Sequence, residues 1–326
     1  MVTKKTWLLN QQYTSVKLKT IDYTDDWSFH PFSNDSEMDR LRCSIKNIGI
    51  LHPPIIQQTD KGFRIINGRK RIRIAREFNL DPLLCHILTR DLPIIQVLTT
   101  HLTEQQLSGS ISTIEQAYFL RLCLIFIEEK EVRDVFLPLL GHPAQTKVID
   151  KLLGLLQLES QLQLLLHQQL TNEKTASALL ELDRKDRIIL GDIIINLKMG
   201  KGKQQRLLTL CKDLSRRHNT SIETILANIE AERILHHPAM NPPQKTKQLL
   251  ELLQKQQSPL YQKAKEDFKI NVKQLNLPDH CGLDHSPAFE KDEVTLSINF
   301  KDIGQCQKTW QVIRAIIFKD NSNVRA

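Results

Sequence analysis

The sequence predicts an α+β fold with several domains, and three observations lead to this class. Helical and extended patterns alternate between Ile21 and Arg90, which is typical of a mixed α/β unit. From Leu92 to Leu235 the chain is rich in leucine and glutamine, which predicts several short helices. Residues 294–300 alternate strictly between apolar and polar, which predicts a half-buried strand. The predicted parts are an N-terminal arm (1–20), a mixed α/β domain (21–91), a helical domain (92–235), a linker with a polar helix (236–290) and a strand-helix element (291–326).

Length and composition restrict the class of protein. The 326 residues are enough for two or three domains, and 40% hydrophobic with 25% charged residues is ordinary for a soluble protein. The net charge of +8 and the pI of about 9.1 favour an anionic partner, nucleic acid first. No apolar stretch could cross a bilayer, and residues 10–12 interrupt any signal-peptide core, so a cytoplasmic protein is expected. The six cysteines lack CxxC spacing and are expected to be reduced thiols.

Local signals give the order of elements in the predicted α/β domain. An amphipathic helix is expected over Met38–Asn47, ending at Gly49, because its apolar residues recur with helical spacing. The other predicted elements are strands at Pro54–Gln58, Phe63–Ile66 and Leu83–Leu88, a turn at Asp60–Gly62 and a basic helix at about 69–79.

The basic helix follows a strand directly, with one glycine, Gly68, between them. Residues 61–76 contain seven lysines or arginines and no acidic residue. A helix that starts at such a turn directs free backbone N–H groups and its positive end towards one point, where arginines add bidentate donors. This combination favours a phosphate site formed by Gly68, Arg69, Lys70, Arg71 and Arg73. A solvated basic helix is the alternative interpretation.

Residues 21–235 resemble the ParB family of chromosome and plasmid partition proteins. The resemblance lies in the order of a helix, the segment 49–56, a hairpin and then the segment 63–75, where family members carry "G-E-R-R-x-R-A-A". It implies that the motif cradles the triphosphate of CTP, with Mg²⁺, and that CTP closes a dimer into a clamp on DNA. Gly68, Arg71 and Arg73 match the motif, and Lys70 keeps the charge of an arginine. Arg69 replaces the glutamate, so the resemblance implies impaired hydrolysis.

A second family motif, "E-N-x-Q-R", should lie before the helical domain. One alignment places Glu104–Gln105 at its first two positions, and another places Thr100–His101 there. Neither alignment keeps the full set of residues. A further family segment, "N-P-F-Q-P-R", is matched only weakly by Phe29–Phe32.

The segment Gly141–Leu158 resembles the helix-turn-helix of the same family. A glycine turn leads into a helix with a small, polar start, and Val148, Leu152 and Leu155 or Leu156 form its apolar side. The start of a recognition helix reaches base edges in the major groove. The DNA-binding residues are therefore predicted to be Pro143, Gln145, Thr146 and Lys147, with Lys151 on phosphate.

Two features leave the helix-turn-helix prediction open. Pro138 lies just before the turn, where it would break an ordinary helix, and a purely structural three-helix element is the alternative. The later basic residues between Lys198 and Arg217 could follow the DNA backbone or form a solvated face.

Several kinds of catalytic and metal site are not indicated. No cysteine lies between Cys43 and Cys85, which argues against the related sulfiredoxin activity. The segment Asp279–His285 contains two histidines and a cysteine close enough for zinc, but no fourth ligand pair is in sight, so a loop with incidental ligands is the preferred interpretation and no metal site is predicted. No set of nucleophile, base and acid has an informative spacing, and no catalytic residue is assigned.

The C-terminal part predicts a dimer. Val294, Leu296, Ile298 and Phe300 share one face of the predicted strand, and a second apolar face follows in a helix with Trp310, Ile313, Ile316 and Ile317. One strand and one helix cannot bury both faces, and ParB proteins resemble this in ending with a dimerising strand-helix unit. Packing of this element back onto the same chain is the alternative.

The leading hypothesis is a ParB-like DNA-binding protein that acts in partition or in site-specific regulation. Its expected partners are double-stranded DNA, a second copy of the chain and a ParA-type partition ATPase, with a nucleoid-associated location in the cytoplasm. The alternatives are a nucleotide-dependent enzyme of the same fold, either a nuclease or a CTPase, and a degenerate adaptor that does not read DNA. The lack of an acidic metal cluster near the basic motif argues against an enzyme.

Overall fold

The computed structural model describes residues 12–23, 27–32, 35–277, 281–286, 293–300, 310–312 and 314. The chain divides into two compact units, Met1–Leu208 and Thr209–Ala326. Within the described residues, none of the helices has both the length and the apolar character that crossing a membrane requires.

A five-stranded mixed sheet forms the α/β part of the first unit. Its spatial order is β1-β5-β3-β4-β2. The β1/β5 and β3/β4 pairs are antiparallel, whereas β3/β5 and β2/β4 are parallel. The strands are β1 (Gln12–Val16), β2 (Ile21–Asp22), β3 (Ile55–Thr59), β4 (Gly62–Asn67) and β5 (Leu83–Leu88), and the helices that accompany them are α1 (Asp35–Ile48) and α2 (Arg69–Glu77).

The core of this part lies between the sheet and α2. Apolar side chains alternate along the strands, so that one face of the sheet packs on Ile72 and Ala75 of α2. Ile74, on another side of α2, packs on Met38 and Ile45 of α1. Both helices are therefore held by buried apolar contacts, and the predicted helix, the three strands and the basic helix of this region are confirmed within a few residues.

Residues 12–20 differ from the predicted loose arm. Gln12–Val16 pairs with β5 along its whole length, and a short 3₁₀ turn, Leu18–Thr20, follows it. Val16 and Leu18 are buried in the core of the sheet. The segment forms an edge strand with one exposed face, and its residues are mostly polar. In the sequence, such a short polar stretch looks like a loop.

The helical part of the first unit begins after β5, as predicted. The segment before Gly141 does not break at Pro138, because a π-helical turn, Val132–Phe136, leads into the segment that contains the proline. Pro138 is the second residue of that segment, and the backbone stays helical from the π-helical turn into it. The helices are α3 (Ile94–Ser108), α4 (Thr113–Phe126), α5 (Glu129–Glu131), α6 (Leu137–Leu139), α7 (Thr146–Gly154), α8 (Ser160–His167), α9 (Glu173–Leu180) and α10 (Arg184–Asn196).

The second unit contains further helices and a two-stranded sheet. The polar helix predicted within 236–290 is two helices, because Ser258 leaves the helical conformation, with φ −140° and ψ 69°, and Pro259 starts a new helix. The helix α11 (Lys201–His218) contains the boundary between the units, and α12 (Ile222–Asn228), α13 (Ala231–Leu235), α14 (Pro242–Gln257) and α15 (Pro259–Gln274) follow.

The predicted C-terminal strand has a partner within the chain. β6 (Cys281–His285) and β7 (Val294–Ile298) form an antiparallel pair. The predicted strand is therefore paired within the chain, because the region predicted as a linker with a polar helix contains its partner. Residues 310–312 and 314 are helical, whereas Ile313, Ile316 and Ile317 lie outside the described residues.

Candidate functional site

Gly68 starts α2 and occupies a position that only glycine fits. Its φ angle is +91°, in the left-handed region. A Cβ atom there would lie 2.9 Å from Pro54 Cβ and 3.0 Å from Pro54 Cα. The strand β4 therefore passes close to Pro54 as it turns into the helix, which leaves backbone N–H groups of the first turn of α2 at the end of the sheet.

Asn67 joins this turn to α3. Its side-chain oxygen Oδ1 accepts from the Gly68 backbone N–H at 2.6 Å and from Gln105 Nε2 at 3.0 Å. Asn67 is buried, and it was not among the predicted site residues. The Asn-Gly pair at the end of the strand was the signal that could have identified it.

The structure distinguishes the two alignments of the second motif. Gln105 contacts the Gly68 turn through Asn67. By contrast, His101 is buried and its Nε2 lies 2.9 Å from the Trp27 carbonyl oxygen, while Thr100 donates to Gln96 of its own helix. The alignment with Glu104–Gln105 is the one that brings side chains to the basic motif.

Arg71 is the motif arginine that faces the Gly68 turn. Its Nη1 donates to the His52 carbonyl oxygen, and its Nη2 lies 3.1 Å from the place of a Cβ on Gly68. Burial lowers the pKa of Arg71, and the Glu104 carboxylate opposes this shift. Burial also lowers the pKa of His86, and the Glu104 carboxylate again opposes the shift. Glu104 therefore lies close enough to influence both side chains.

The other predicted phosphate-binding residues point in different directions. Arg69 donates to the Tyr23 carbonyl oxygen at 2.9 Å, and Lys70 forms a 2.8 Å ion pair with Glu37 of α1. The Arg73 side chain is 68% exposed, with its Nε 3.5 Å from a carboxylate oxygen of Glu77. In these conformations the three side chains are held by separate partners, so they do not converge on the Gly68 turn. Gly68 and Arg71 are brought together, and the other three are not.

The predicted DNA-binding residues lie together at the start of α7. Gly141 has a φ angle of +82° and turns the chain after α6. Gln145 is the residue that precedes the first turn of α7, and its side chain makes no capping hydrogen bond. The predicted residues Pro143, Gln145, Thr146, Lys147 and Lys151 are all exposed.

Buried residues on the opposite side anchor α7. Ile149 and Leu152 are buried along the helix, and Leu155 follows in a short 3₁₀ turn. Val148, which was predicted to anchor the helix, is only half-buried. Ile149 is the buried residue at this place. Lys151 forms a 2.6 Å ion pair with Glu173, which leaves Lys147 as the more available charge near the turn.

A buried polar cluster lies where the segment 27–32 meets the helical part. Glu115 Oε1 accepts from His30 Nδ1 at 2.7 Å, and Glu115 Oε2 accepts from the Ser112 hydroxyl at 2.7 Å. His167 Nδ1 lies 3.0 Å from the same hydroxyl. Burial opposes ionisation of Glu115, but the hydrogen bonds from His30 and Ser112 outweigh it and lower its pKa to about 2.

Lowering the pH is expected to destabilise the protein through Glu115. Its folded pKa of about 2 lies below the usual value of 4.5, so the ionised carboxylate stabilises the fold above pH 4.5 and this contribution is lost as the pH falls towards 2. The shift corresponds to about 3 kcal/mol. Urea unfolding of the parent and of Glu115→Gln across this range measures the effect. A stability difference between the two proteins that stays constant with pH would contradict it.

The segment Asp279–His285 is described only in part. His280 lies outside the described residues, while Cys281 and His285 belong to β6. Among the residues that the structure describes, no three potential metal ligands come together.

Comparisons with known proteins find similarity to ParB proteins. The chain is 25% identical over 202 residues to a probable chromosome-partitioning protein ParB of Campylobacter jejuni, which covers 59% of this chain and 68% of the relative. Among solved structures, a C-terminally truncated ParB from Caulobacter crescentus complexed to the centromeric parS site has 15% identity and a TM-score of 0.35, over 60% of this chain and 98% of that one. The corresponding complex with CTP-gamma-S has 19% identity and a TM-score of 0.25, over 56% and 99%.

No model of a known protein family matches the chain. The similarity in sequence to the Campylobacter protein supports the resemblance to ParB proteins. In sequence, the chain is similar to a ParB protein, and this similarity supports a divergent relative of the ParB family.

Proposed function

We propose that this protein binds a defined site on double-stranded DNA and acts in chromosome or plasmid partition or in regulation at that site, at the nucleoid in the cytoplasm. The observation that carries the proposal is the exposed start of α7, opposite its buried anchors Ile149 and Leu152. A helix held in this way can insert its first residues into the major groove. Gln145, Thr146 and Lys147 would then face base edges, and Lys151 a phosphate.

We also propose that the Gly68 turn binds the phosphates of CTP with Mg²⁺. Three features fit an anion there: a turn with no room for a side chain, the start of a nine-residue helix, and the Arg71 guanidinium beside it. Glu104 is the nearby carboxylate that could ligate Mg²⁺, which would neutralise phosphate charge. Arg69, Lys70 and Arg73 contribute to the positive field, and direct contacts from them require new side-chain conformations.

CTP is expected to bind without appreciable turnover. The reason is Arg69, which stands where related proteins carry a glutamate, together with the incomplete second motif. Calorimetry with CTP and Mg²⁺, beside a phosphate-release assay on the same sample, tests both halves. Robust CTP turnover would overturn the proposed lack of hydrolysis, and the absence of heat at millimolar CTP would overturn the nucleotide site.

The second unit is proposed to form a homodimer. Among the described residues after position 290, four large apolar side chains are exposed: Val294 is 57% exposed, Phe300 37%, Trp310 59% and Val312 48%. Burial of such a set between two copies would stabilise a dimer, and twofold symmetry suits a palindromic DNA site. A ParA-type partition ATPase is the further protein partner that we propose.

Deleting residues 291–326 is expected to convert the dimer into a monomer. The reason is that the deletion removes all four exposed apolar side chains. Light scattering at micromolar concentration measures the mass of both proteins. A full-length protein that is already monomeric would contradict the dimer, and a truncated protein that stays dimeric would place the interface elsewhere.

A further inference from the structure

Arg133 and Asp134 form a bidentate ion pair shortly before α7 in the chain. Arg133 Nε donates to Asp134 Oδ1 at 2.7 Å, and Arg133 Nη2 donates to Oδ2 at 3.1 Å. Neighbouring side chains of an α-helix do not face each other, whereas these two lie within the π-helical turn Val132–Phe136. Such turns are frequent at functional sites. The hydrogen bonds between the two side chains raise the pKa of Arg133 and lower the pKa of Asp134, so both are charged at neutral pH.

This ion pair shares a surface recess with the start of α7. The recess has a volume of about 540 Å³ and is lined by Arg133, Asp134, Ala144, Gln145, Thr146 and Lys147. Three of these residues, Gln145, Thr146 and Lys147, are proposed to face base edges. The Arg133 side chain is 32% exposed, so its guanidinium can be reached from outside. A duplex that contacts the start of α7 would therefore also meet Arg133.

The ion pair leaves one edge of the Arg133 guanidinium available. A guanidinium has N–H donors on Nε, Nη1 and Nη2 in a rigid, planar fork. Asp134 accepts from Nε and Nη2, which form one edge of the fork. The other edge presents N–H groups of Nη1 and Nη2 side by side, and no residue that the structure describes accepts from Nη1. Two such parallel N–H groups match the O6 and N7 acceptors of guanine.

We propose that Arg133 reads a guanine in the major groove of the bound DNA, and that Asp134 is the positioning residue that orients its guanidinium. The inference rests on the proposed DNA binding by α7 and deepens it, because it assigns a base preference to a residue outside that helix. A phosphate contact requires only positive charge, whereas reading a base requires an oriented donor pair. The bidentate hold of Asp134 supplies that orientation.

Selection from a randomised library of double-stranded DNA measures the base preference at every position of the site. The full-length parent, Arg133→Ala, Arg133→Lys and Asp134→Asn each select from the same library. The matched control is Arg40→Ala, because Arg40 is exposed on α1 and does not line the recess. Fluorescence anisotropy then compares the duplex selected by the parent with the same duplex carrying another base pair in place of the guanine.

The parent is expected to enrich a guanine that Arg133→Ala no longer selects, while the preferences at other positions of the site are kept. Replacing this guanine should weaken binding of the parent about tenfold and leave the affinity of Arg133→Ala nearly unchanged. Arg133→Lys should also lose the guanine preference, since lysine keeps the charge without the planar fork. Asp134→Asn should reduce the preference, and Arg40→Ala should keep it in full.

The remaining outcomes contradict the inference in distinct ways. If Arg133→Ala binds all sequences more weakly by the same factor and Arg133→Lys restores binding, Arg133 contacts phosphate. Unchanged preferences in Arg133→Ala would make the ion pair a solvated surface feature, and an unchanged preference in Asp134→Asn would remove its positioning role. A parent that enriches no sequence would refute the proposed specific DNA binding as well. If Arg133→Ala does not fold, Arg133→Lys decides, because a guanine preference retained there excludes bidentate reading.

Discussion

Replacing Gln145 and Lys147 together by alanine is expected to weaken binding to a specific DNA site by about 1–3 kcal/mol for each lost base contact. Both side chains are exposed at the start of α7, and neither contributes to the buried anchor of that helix. The fold should therefore be retained while affinity falls. Fluorescence anisotropy on the best site found by genome-wide mapping of bound DNA measures the loss.

A matched control separates base contacts from general charge. Gln161 and Lys185 are exposed on α8 and α10, outside the turn, so Gln161→Ala with Lys185→Ala removes the same chemistry elsewhere. This control should bind the specific site like the parent. A salt titration adds a second criterion, because phosphate contacts weaken steeply as salt rises. If the Gln145 and Lys147 variant binds its best site as tightly as the parent, α7 is not a recognition helix, and an adaptor that keeps the fold without reading DNA becomes the better interpretation.

The elements with strong local signals could be predicted from the sequence. Leu83–Leu88 is a strand with the predicted bounds, and α1 is the predicted amphipathic helix extended at both ends. The edge strand β1 was missed, because its polar residues give no apolar run and its stability comes from pairing with a segment about 70 residues away. The proline before α7 was misjudged for a similar reason, since a π-helical turn accommodates it and no local pattern announces such a turn.

The glycine turn before α2 was predicted in its location, but the directions of the basic side chains that follow it were not. The order of strand, glycine and basic helix correctly placed Gly68 at the start of α2. The direction of each basic side chain depends on what surrounds the helix: Glu37 of α1 attracts Lys70, and the Tyr23 carbonyl oxygen accepts from Arg69. Such partners are distant in sequence, so residue type alone could not separate Arg71 from its neighbours.

The choice between the two second-motif alignments depended on the same kind of information. Both alignments place their residues on α3, and its helical rotation decides which ones face the Gly68 turn. The buried histidine belongs to the side that packs on Trp27, and Gln105 lies on the side that reaches Asn67. The sequence shows little amphipathic pattern along α3 because the helix is surrounded on several sides, so the rotation could not be read from periodicity.

Replacing Gly68 by alanine is expected to abolish CTP binding and to cost more stability than the same change at Gly49. Both glycines have positive φ angles, +91° and +75°, so an alanine at either position carries a backbone strain of about 1–2 kcal/mol. Their surroundings differ: a Cβ at Gly68 would lie 2.9 Å from Pro54 Cβ, and a Cβ at Gly49 would meet nothing within 4 Å. Relief of that overlap must move the start of α2 away from Pro54.

Urea unfolding and calorimetry on the two variants separate strain from close approach. Gly49→Ala should lose only the strain and bind CTP like the parent. Gly68→Ala should lose additional stability and the CTP affinity together, because the backbone N–H groups of the turn and the Arg71 guanidinium move with the helix. Equal stability losses in the two variants would mean that the turn absorbs a side chain without moving. Unchanged CTP affinity in Gly68→Ala would then assign any phosphate binding to side-chain charge rather than to the backbone of the turn.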